Sequence, residues 1–428
     1  MWLMSSRSGL VRAAGCLGAA LALGSLGAAA TQTLEPSRLA GAVPRVAPSG
    51  RPTVPAAFTR ESYRPAQAAR LVIHSTARDV RVQVFRAGAE RRRITTTDTM
   101  LGAAVTSTRR IGDVRRGQVV RVRVGAWRSG LYFARITAAG GRVGFAPFVL
   151  RPRALGTRRV AVVLPTQTWQ AYNFRDDDGD GTEDTWYASG STARLARPYE
   201  NRGVPTNYRR YDQPFLRWLD ESMRDADYLA QSDLNQVADG RTLAAAYALI
   251  VFPGHHEYVT RREYDAITAF RDLGGNLMFL SANNFFWKID RRGNVMTRVQ
   301  QWRKLGRPES ALVGVQYFGG DRGTYTASWI VRDVAAADGL LAGAGLRKGS
   351  RLARGGIEVD AVTRHSPRTI NVLAELRWRN GRNAEMTYYE TPNGAKVFAA
   401  GAFKLVSAIR EPNVSRLMDG LWRRLATP

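Results

Sequence analysis

Two short polar clusters carry the residues best suited to chemistry. His255, His256 and Glu257 follow the apolar run 249–252, and Ser281, Asn283 and Asn284 follow a second apolar run, 277–280. Between them, Tyr264, Ile267 and Phe270 recur at helical spacing until Gly274-Gly275 ends the pattern. This is a strand, helix, strand unit, and both clusters leave the carboxyl end of a strand, where open parallel sheets place their ligands. With only four histidines in the chain, two adjacent ones beside a glutamate point to a polar site there. The alternative is that the histidines cap the helix and Glu257 complements its dipole.

A second candidate is acidic. Asp176, Asp178, Asp180, Gly181 and Asp184 follow the pattern D-x-D-x-D-G-x-x-D, in which alternate carboxylates can converge on one hard cation while glycine permits the turn. The twelfth position is Tyr187 where an EF-hand needs a bidentate glutamate. A calcium-braced loop without EF helices and a plain acidic turn both stay open.

These clusters must be positioned by a chain of 428 residues, long enough for two or three domains. Residues 1–30 read as an export signal: Arg7 and Arg12 precede a small-residue apolar run that closes on Ala28-Ala29-Ala30. Cys16, the single cysteine, would leave with it, so a mature chain starting near Thr31 has neither disulfides nor a thiolate nucleophile. Localisation is then secreted, extracellular or periplasmic, with no membrane span after signal removal. The net charge of +27 becomes 27 − 2 = +25 without Arg7 and Arg12. Arginine is scattered, with residues 91–93 the only triple, so specific nucleic-acid binding is not indicated. Association with an anionic cell envelope is compatible with the charge.

Residues 31–62 lack periodicity and read as a linker. Residues 63–152 alternate apolar and polar with Gly, Asp and Ser breaks, the pattern of a small antiparallel β-sandwich. From residue 153 to 428, strands and helices alternate, which predicts an α/β domain with a parallel, flavodoxin-like sheet. Residues 159–164, 249–252, 277–280, 355–362, 385–390 and 397–400 are its expected strands, residues 211–223 and 414–425 are helices, and the stretch through Tyr317 and Trp329 reads as an insertion with loops and short strands.

TWQAYN at 168–173, TWY at 185–187, PGHHEYVT at 253–260, LSANNFFW at 280–287 and GIEVD at 356–360 together resemble the catalytic region of the N,N-dimethylformamidase large subunit. WRSGLYFARI and FVLRP are similar to that family's lead-in, so the resemblance runs from about residue 70 to the end. It implies a class I glutamine-amidotransferase-like fold without the cysteine, and a mononuclear iron that serves hydrolysis of a small amide. Carried over, the iron ligands are Tyr172, Tyr187 and Glu257, and His255, Asn283 and Glu358 are catalytic or supporting groups. Phenolate and carboxylate oxygens are hard donors, and three of them leave positions open on a trivalent ion. The family enzyme is cytoplasmic and has a small partner subunit, whereas this chain carries an export signal, so the substrate expected is a small or envelope-derived amide. Two other readings compete. One is a non-catalytic envelope- or carbohydrate-binding protein on the same fold. The other is a calcium-stabilised glycoside-active enzyme using Glu257 and Glu358, which requires a defined separation between the two carboxylates.

Overall fold

The computed structural model describes residues 49–427 apart from 189, 237, 238, 322, 324 and 380. They belong to one compact unit, Pro36–Pro428. The expected signal, residues 1–30, lies outside the described residues, and among those described no helix is long and apolar enough to cross a membrane.

Alternation of side chains builds the first region. In strand Gln118–Arg123, Val120 and Val122 are buried while Arg121 and Arg123 face water. This strand joins Ala68–Ile73 and Ala56–Phe58 in a three-stranded sheet. A six-stranded sheet runs Ser62–Tyr63, Arg142–Leu150, Gly130–Ala138, Ala77–Arg86 and Ala103–Ala104, with Arg109–Val114 also on Ala77–Arg86. Phe58, Leu71, Ile73, Val84, Val120 and Phe148 share one core drawn from both sheets. The described part of the expected linker supplies two of these strands, Ala56–Phe58 and Ser62–Tyr63.

The second region departs from the expected architecture. Its sheet has eleven strands and is mixed. Asp227–Ala230, Val160–Leu164, Leu249–Phe252, Asn276–Phe279 and Lys396–Ala399 are parallel neighbours. Asn383–Glu390, Asn371–Arg377, Thr326–Val331, Arg351–Ala361 and Gln316–Gly320 continue it antiparallel. The predicted flavodoxin- or glutamine-amidotransferase-like parallel domain is therefore incorrect. The physical reason lies in the connections. The parallel strands are uniformly apolar runs such as VAVVL and LIVF, buried on both faces. Beyond residue 370, short turns join Asn371–Arg377, Asn383–Glu390 and Lys396–Ala399, which therefore pair antiparallel, while Lys396–Ala399 also closes on the parallel half beside Asn276–Phe279. The stretch through Tyr317 and Trp329, expected to be an insertion with loops and short strands, does form two short strands, Gln316–Gly320 and Thr326–Val331, and they belong to this sheet.

The central helix forms as its sequence dictates. Thr260 Oγ1 accepts from Glu263 N at 3.2 Å and Glu263 Oε2 accepts from Thr260 N at 2.8 Å, a capping box that starts helix Arg261–Asp272. Tyr264, Ile267 and Phe270 bury its apolar face. The expected helix 211–223 divides in two, Tyr208–Tyr211 and Gln213–Glu221. A single apolar cluster then runs from Phe133 and Phe145 of the first region to Phe215 and Trp218 of the second, so the two regions share a core.

Candidate functional site

Three neighbouring parallel strands deliver the site at their carboxyl ends. Strand Val160–Leu164 leads through the short helix Thr166–Ala171 to Tyr172. Leu249–Phe252 leads to His255 and Glu257, and Asn276–Phe279 leads to Asn283. The last two loops are laced together. Phe285 N donates to His256 O at 2.8 Å, Trp287 N to Glu257 O at 2.9 Å, and Ser281 Oγ to Gly254 O at 2.7 Å. Ser281 also meets Asn284 Oδ1 at 3.1 Å, so these two predicted polar residues hold the loops and leave chemistry to their neighbours.

Glu358 comes from the antiparallel half. Strand Arg351–Ala361 shifts register between Gly356 and Val359, and Gly356 and Ile357 take φ values of 148° and 74°. A bulge of this kind re-aims a side chain. Glu358 is thereby buried at 1% exposure, held by the Asn283 side-chain amide, and burial pushes its pKa up to about 8. Asn283 itself sits at φ 54°, a conformation asparagine tolerates, and its N–H donates to both Asp360 carboxylate oxygens at 2.9 and 3.1 Å.

The carried-over residues gather. Tyr172 Oη donates to Glu257 Oε2 at 2.7 Å, and the Tyr172 and Tyr187 rings stack with centroids 4.7 Å apart. The Tyr187 hydroxyl contacts that of Tyr258, a third phenol that the sequence reading did not select, although it directly follows Glu257. His255 Nε2 lies 3.2 Å from Glu358 Oε2 and 3.5 Å from Glu257 Oε2. The angles are not those of hydrogen bonds, and His255 Nε2 and Glu358 Oε2 both remain buried without a partner.

Electrostatics at this point are one-sided. Burial and the neighbouring Glu358 push Glu257 up to about 7, while burial together with Glu257 holds the Tyr172 and Tyr187 phenols well above the usual range. Burial lowers His255 to about 4, so it is neutral near pH 7. Oxygen donors are thus concentrated, with no lysine or arginine among the described residues named at this point, which is the kind of donor set that a hard metal ion satisfies. His256, the other predicted histidine, packs edge-on against Phe252 with centroids 4.9 Å apart and belongs to the core.

The acidic loop is built differently. Carboxylate oxygens of Asp176, Asp178 and Asp184 come within 4.8 Å of one another, and Asp180 is not one of the three. The loop uses its own amides: Gly179 N and Gly181 N donate to Asp176 at 2.6 and 2.9 Å, Asp180 N to Asp178 at 3.2 Å, and Thr182 N to Asp180 at 2.7 Å. Arg197, buried at 4% exposure, anchors it by donating to Arg175 O at 2.9 Å, Asn173 O at 2.7 Å and Asp177 Oδ2 at 3.2 Å. No motif in the sequence marks Arg197. Thr185 Oγ1 donates to Ala171 O at 2.5 Å, which brings Trp186 and Tyr187 back to the site.

The fold and site define a sheet-rich protein with a buried phenol and carboxylate centre at the ends of parallel strands. The family described as N,N-dimethylformamidase beta subunit-like, C-terminal, matches residues 81–416, and the chain belongs to it. No curated protein matches the chain. Among solved structures, a superoxide reductase (neelaredoxin) from Ignicoccus hospitalis is similar over 22% of this chain and 76% of its own, at 10% identity and TM-score 0.15. A cycloisomaltooligosaccharide glucanotransferase from Paenibacillus sp. is similar over 29% of this chain and 18% of its own, at 17% identity and TM-score 0.15. Murine CEACAM1b is similar over 26% and 61%, at 12% identity and TM-score 0.14.

Proposed function

We propose that the protein is an iron-dependent amidohydrolase, exported by its leader, that cleaves the C–N bond of a small or envelope-derived amide. The observation that carries this reading is the convergence of Tyr172, Tyr187 and Glu257 beside the unpartnered His255 Nε2 and Glu358 Oε2. Tyr172, Tyr187 and Glu257 are the residues that would hold the ion, which supplies Lewis-acid polarisation of the amide carbonyl.

The chain's own groups do the rest. Glu358, with a pKa about 8, is poised to take a proton from water and hand it on near neutral pH. The water oxygen bonds to the carbonyl carbon, the C–N bond breaks with its electron pair on nitrogen, and that nitrogen receives the proton. Asn283 fixes Glu358 through its amide, and neutral His255 offers Nε2 to the reacting groups as either acceptor or donor, according to tautomer. The packed aromatics Tyr172, Tyr187, Trp186 and Phe403 exclude bulk water, which strengthens each of these interactions.

The test is spectroscopic and catalytic. Ferric protein should show a visible phenolate-to-iron absorption that Tyr172→Phe or Glu257→Ala removes, and it should release amine from small amides. A protein that cannot be loaded with iron and stays colourless would overturn the reading.

A further inference from the structure

A narrow cleft beside the centre has Tyr172, Tyr211 and His255 among its walls. The Tyr211 hydroxyl is buried there without a hydrogen-bond partner, on a residue that is 5% exposed. An unmade hydrogen bond of this kind costs roughly 1–3 kcal/mol, and phenylalanine would fill a purely structural role without that cost. The chemistry described so far gives this hydroxyl no task. Yet it shares its surroundings with two other atoms that are buried and unpartnered, His255 Nε2 and Glu358 Oε2.

The segment that carries Tyr211 is fastened to the centre on both sides. Tyr211 ends the short helix Tyr208–Tyr211, and Thr206 Oγ1, just ahead of it, donates to Tyr172 O at 2.9 Å. After it, Asp212 Oδ2 accepts from Trp169 Nε1 at 3.1 Å, and a Cβ at position 254 would collide with the Asp212 carboxyl, so glycine is needed where the His255 loop passes. Phe403 organises the rest. Its ring stacks on Tyr211 with centroids 4.7 Å apart and meets His255 edge-on at 4.8 Å, and its backbone pairs with Gly356, beside the bulge that aims Glu358. Tyr211, His255 and Glu358 are thus gathered about one residue. Burial holds the Tyr211 phenol above its ordinary range, against the charge of Arg210 and with the help of Glu358, so the hydroxyl keeps its proton.

We infer that Tyr211 is a further catalytic residue, the proton donor to the leaving nitrogen of the substrate. The inference rests on the hydrolase reading above, because it places the amide carbonyl at Tyr172, Tyr187 and Glu257 and its nitrogen beside Tyr211. In a planar amide the nitrogen lone pair is spread into the carbonyl and accepts poorly. Once the water oxygen bonds to the carbonyl carbon, that lone pair is localised and a hydroxyl can donate to it. As the C–N bond breaks with its electron pair on nitrogen, the Tyr211 O–H proton passes to nitrogen, and the proton that Glu358 took from water passes to Tyr211 Oη. The phenol is restored and the amine leaves neutral. A donor at this place serves tertiary amides, whose nitrogen bears no hydrogen, as well as primary ones.

The experiment follows amine release from N,N-dimethylformamide by the full chain loaded with ferric iron. It compares wild type with Tyr211→Phe, which keeps the stack on Phe403, and with Phe403→Leu, which keeps the hydroxyl and frees its ring. Tyr211→Phe should lower kcat about 100-fold, with KM within about threefold and the visible band unchanged, because the contact forms only after the carbonyl is attacked. The heavy-nitrogen isotope effect on kcat/KM should rise as C–N cleavage becomes slower, a change that a residue of purely structural role would not give. Phe403→Leu should show the same signature with a smaller loss. A kcat for Tyr211→Phe within about threefold of wild type, loss of its visible band, or an isotope effect unchanged in both variants overturns the inference, while wild-type activity upholds the hydrolase reading. A wild type that releases no amine removes that reading and this inference with it, so the two failures are distinguishable.

Discussion

Two loops in this protein present oxygen donors, and they solve the charge problem in opposite ways. Residues 176–184 place their carboxylates at the surface and satisfy them with their own backbone N–H groups, which hold Asp176 below the usual carboxylate range. The centre formed by Tyr172, Tyr187, Glu257 and Glu358 is fully buried, and every acid in it is pushed upward because burial outweighs the hydrogen bonds from Tyr172 to Glu257 and from Asn283 to Glu358. Carboxylate spacing alone does not distinguish these situations. What distinguishes them is the compensation close at hand: adjacent backbone amides serve the surface loop, whereas burial dominates at the centre, where the proposed ion would supply the positive charge.

The largest effect should come from the buried centre. Glu257→Ala is expected to abolish the visible iron absorption and to lower iron affinity by more than about 100-fold, beyond the range typical of supporting residues. Metal analysis after dialysis checks this, and a variant that retains stoichiometric iron would break the contrast. Glu358→Gln should keep the ion and the band but reduce kcat by about 100- to 10,000-fold, as expected on loss of a general base. Steady-state amine release measures it.

Arg197→Ala sharpens the comparison from the other side. It removes the buried cation that anchors the acidic loop, at a cost of roughly 3–5 kcal/mol in urea unfolding, and it should weaken iron binding through Tyr187. Asp212 gives a pH signature in metal-free protein. Burial raises its pKa from 3.8 to about 8, so the fold favours the protonated form. That stability is fully present below the unfolded value and is lost as pH rises toward about 8; Asp212→Asn should flatten the melting temperature across this window. The smallest change belongs to Asp178→Asn. This exposed residue should alter stability by within about 0.5 kcal/mol, with or without calcium chelator. A large calcium-dependent loss would make the acidic loop a second ion site.

Much of the site was legible because it lies on the most regular part of the chain. Leu249–Phe252 and helix Arg261–Asp272 follow directly from apolar runs, helical spacing and a capping pair, and they fix where His255 and Glu257 emerge. The family motifs located Tyr172, Tyr187, Asn283 and Glu358, which the structure brings to the same place. In the antiparallel half the strands at residues 385–390 and 397–400 were legible and their pairing was not, since apolar runs such as those in Asn383–Glu390 and Lys396–Ala399 look alike whether a hairpin or a crossover joins them. Asp212 and Arg197 were missed for a different reason. Their roles depend on burial, and a single aspartate or arginine in an arginine-rich chain carries no local mark of being buried. Tyr258 had a usable signal, its adjacency to Glu257, but alternation along a strand argues that neighbours point apart.

The bulge at Gly356 and Ile357 gives the protein an unusual sensitivity to length. Successive residues of a pleated strand face opposite ways, so deleting one residue there would turn Glu358 to the far side of the sheet while the pairing on either flank could re-form. Isoleucine in a left-handed conformation is itself disfavoured and persists only because its surroundings impose it. A chain that lost this irregularity would gain a smoother strand and lose Glu358 from the buried centre, which makes residues 355–359 the place where a change of one residue would keep the architecture and dismantle the site.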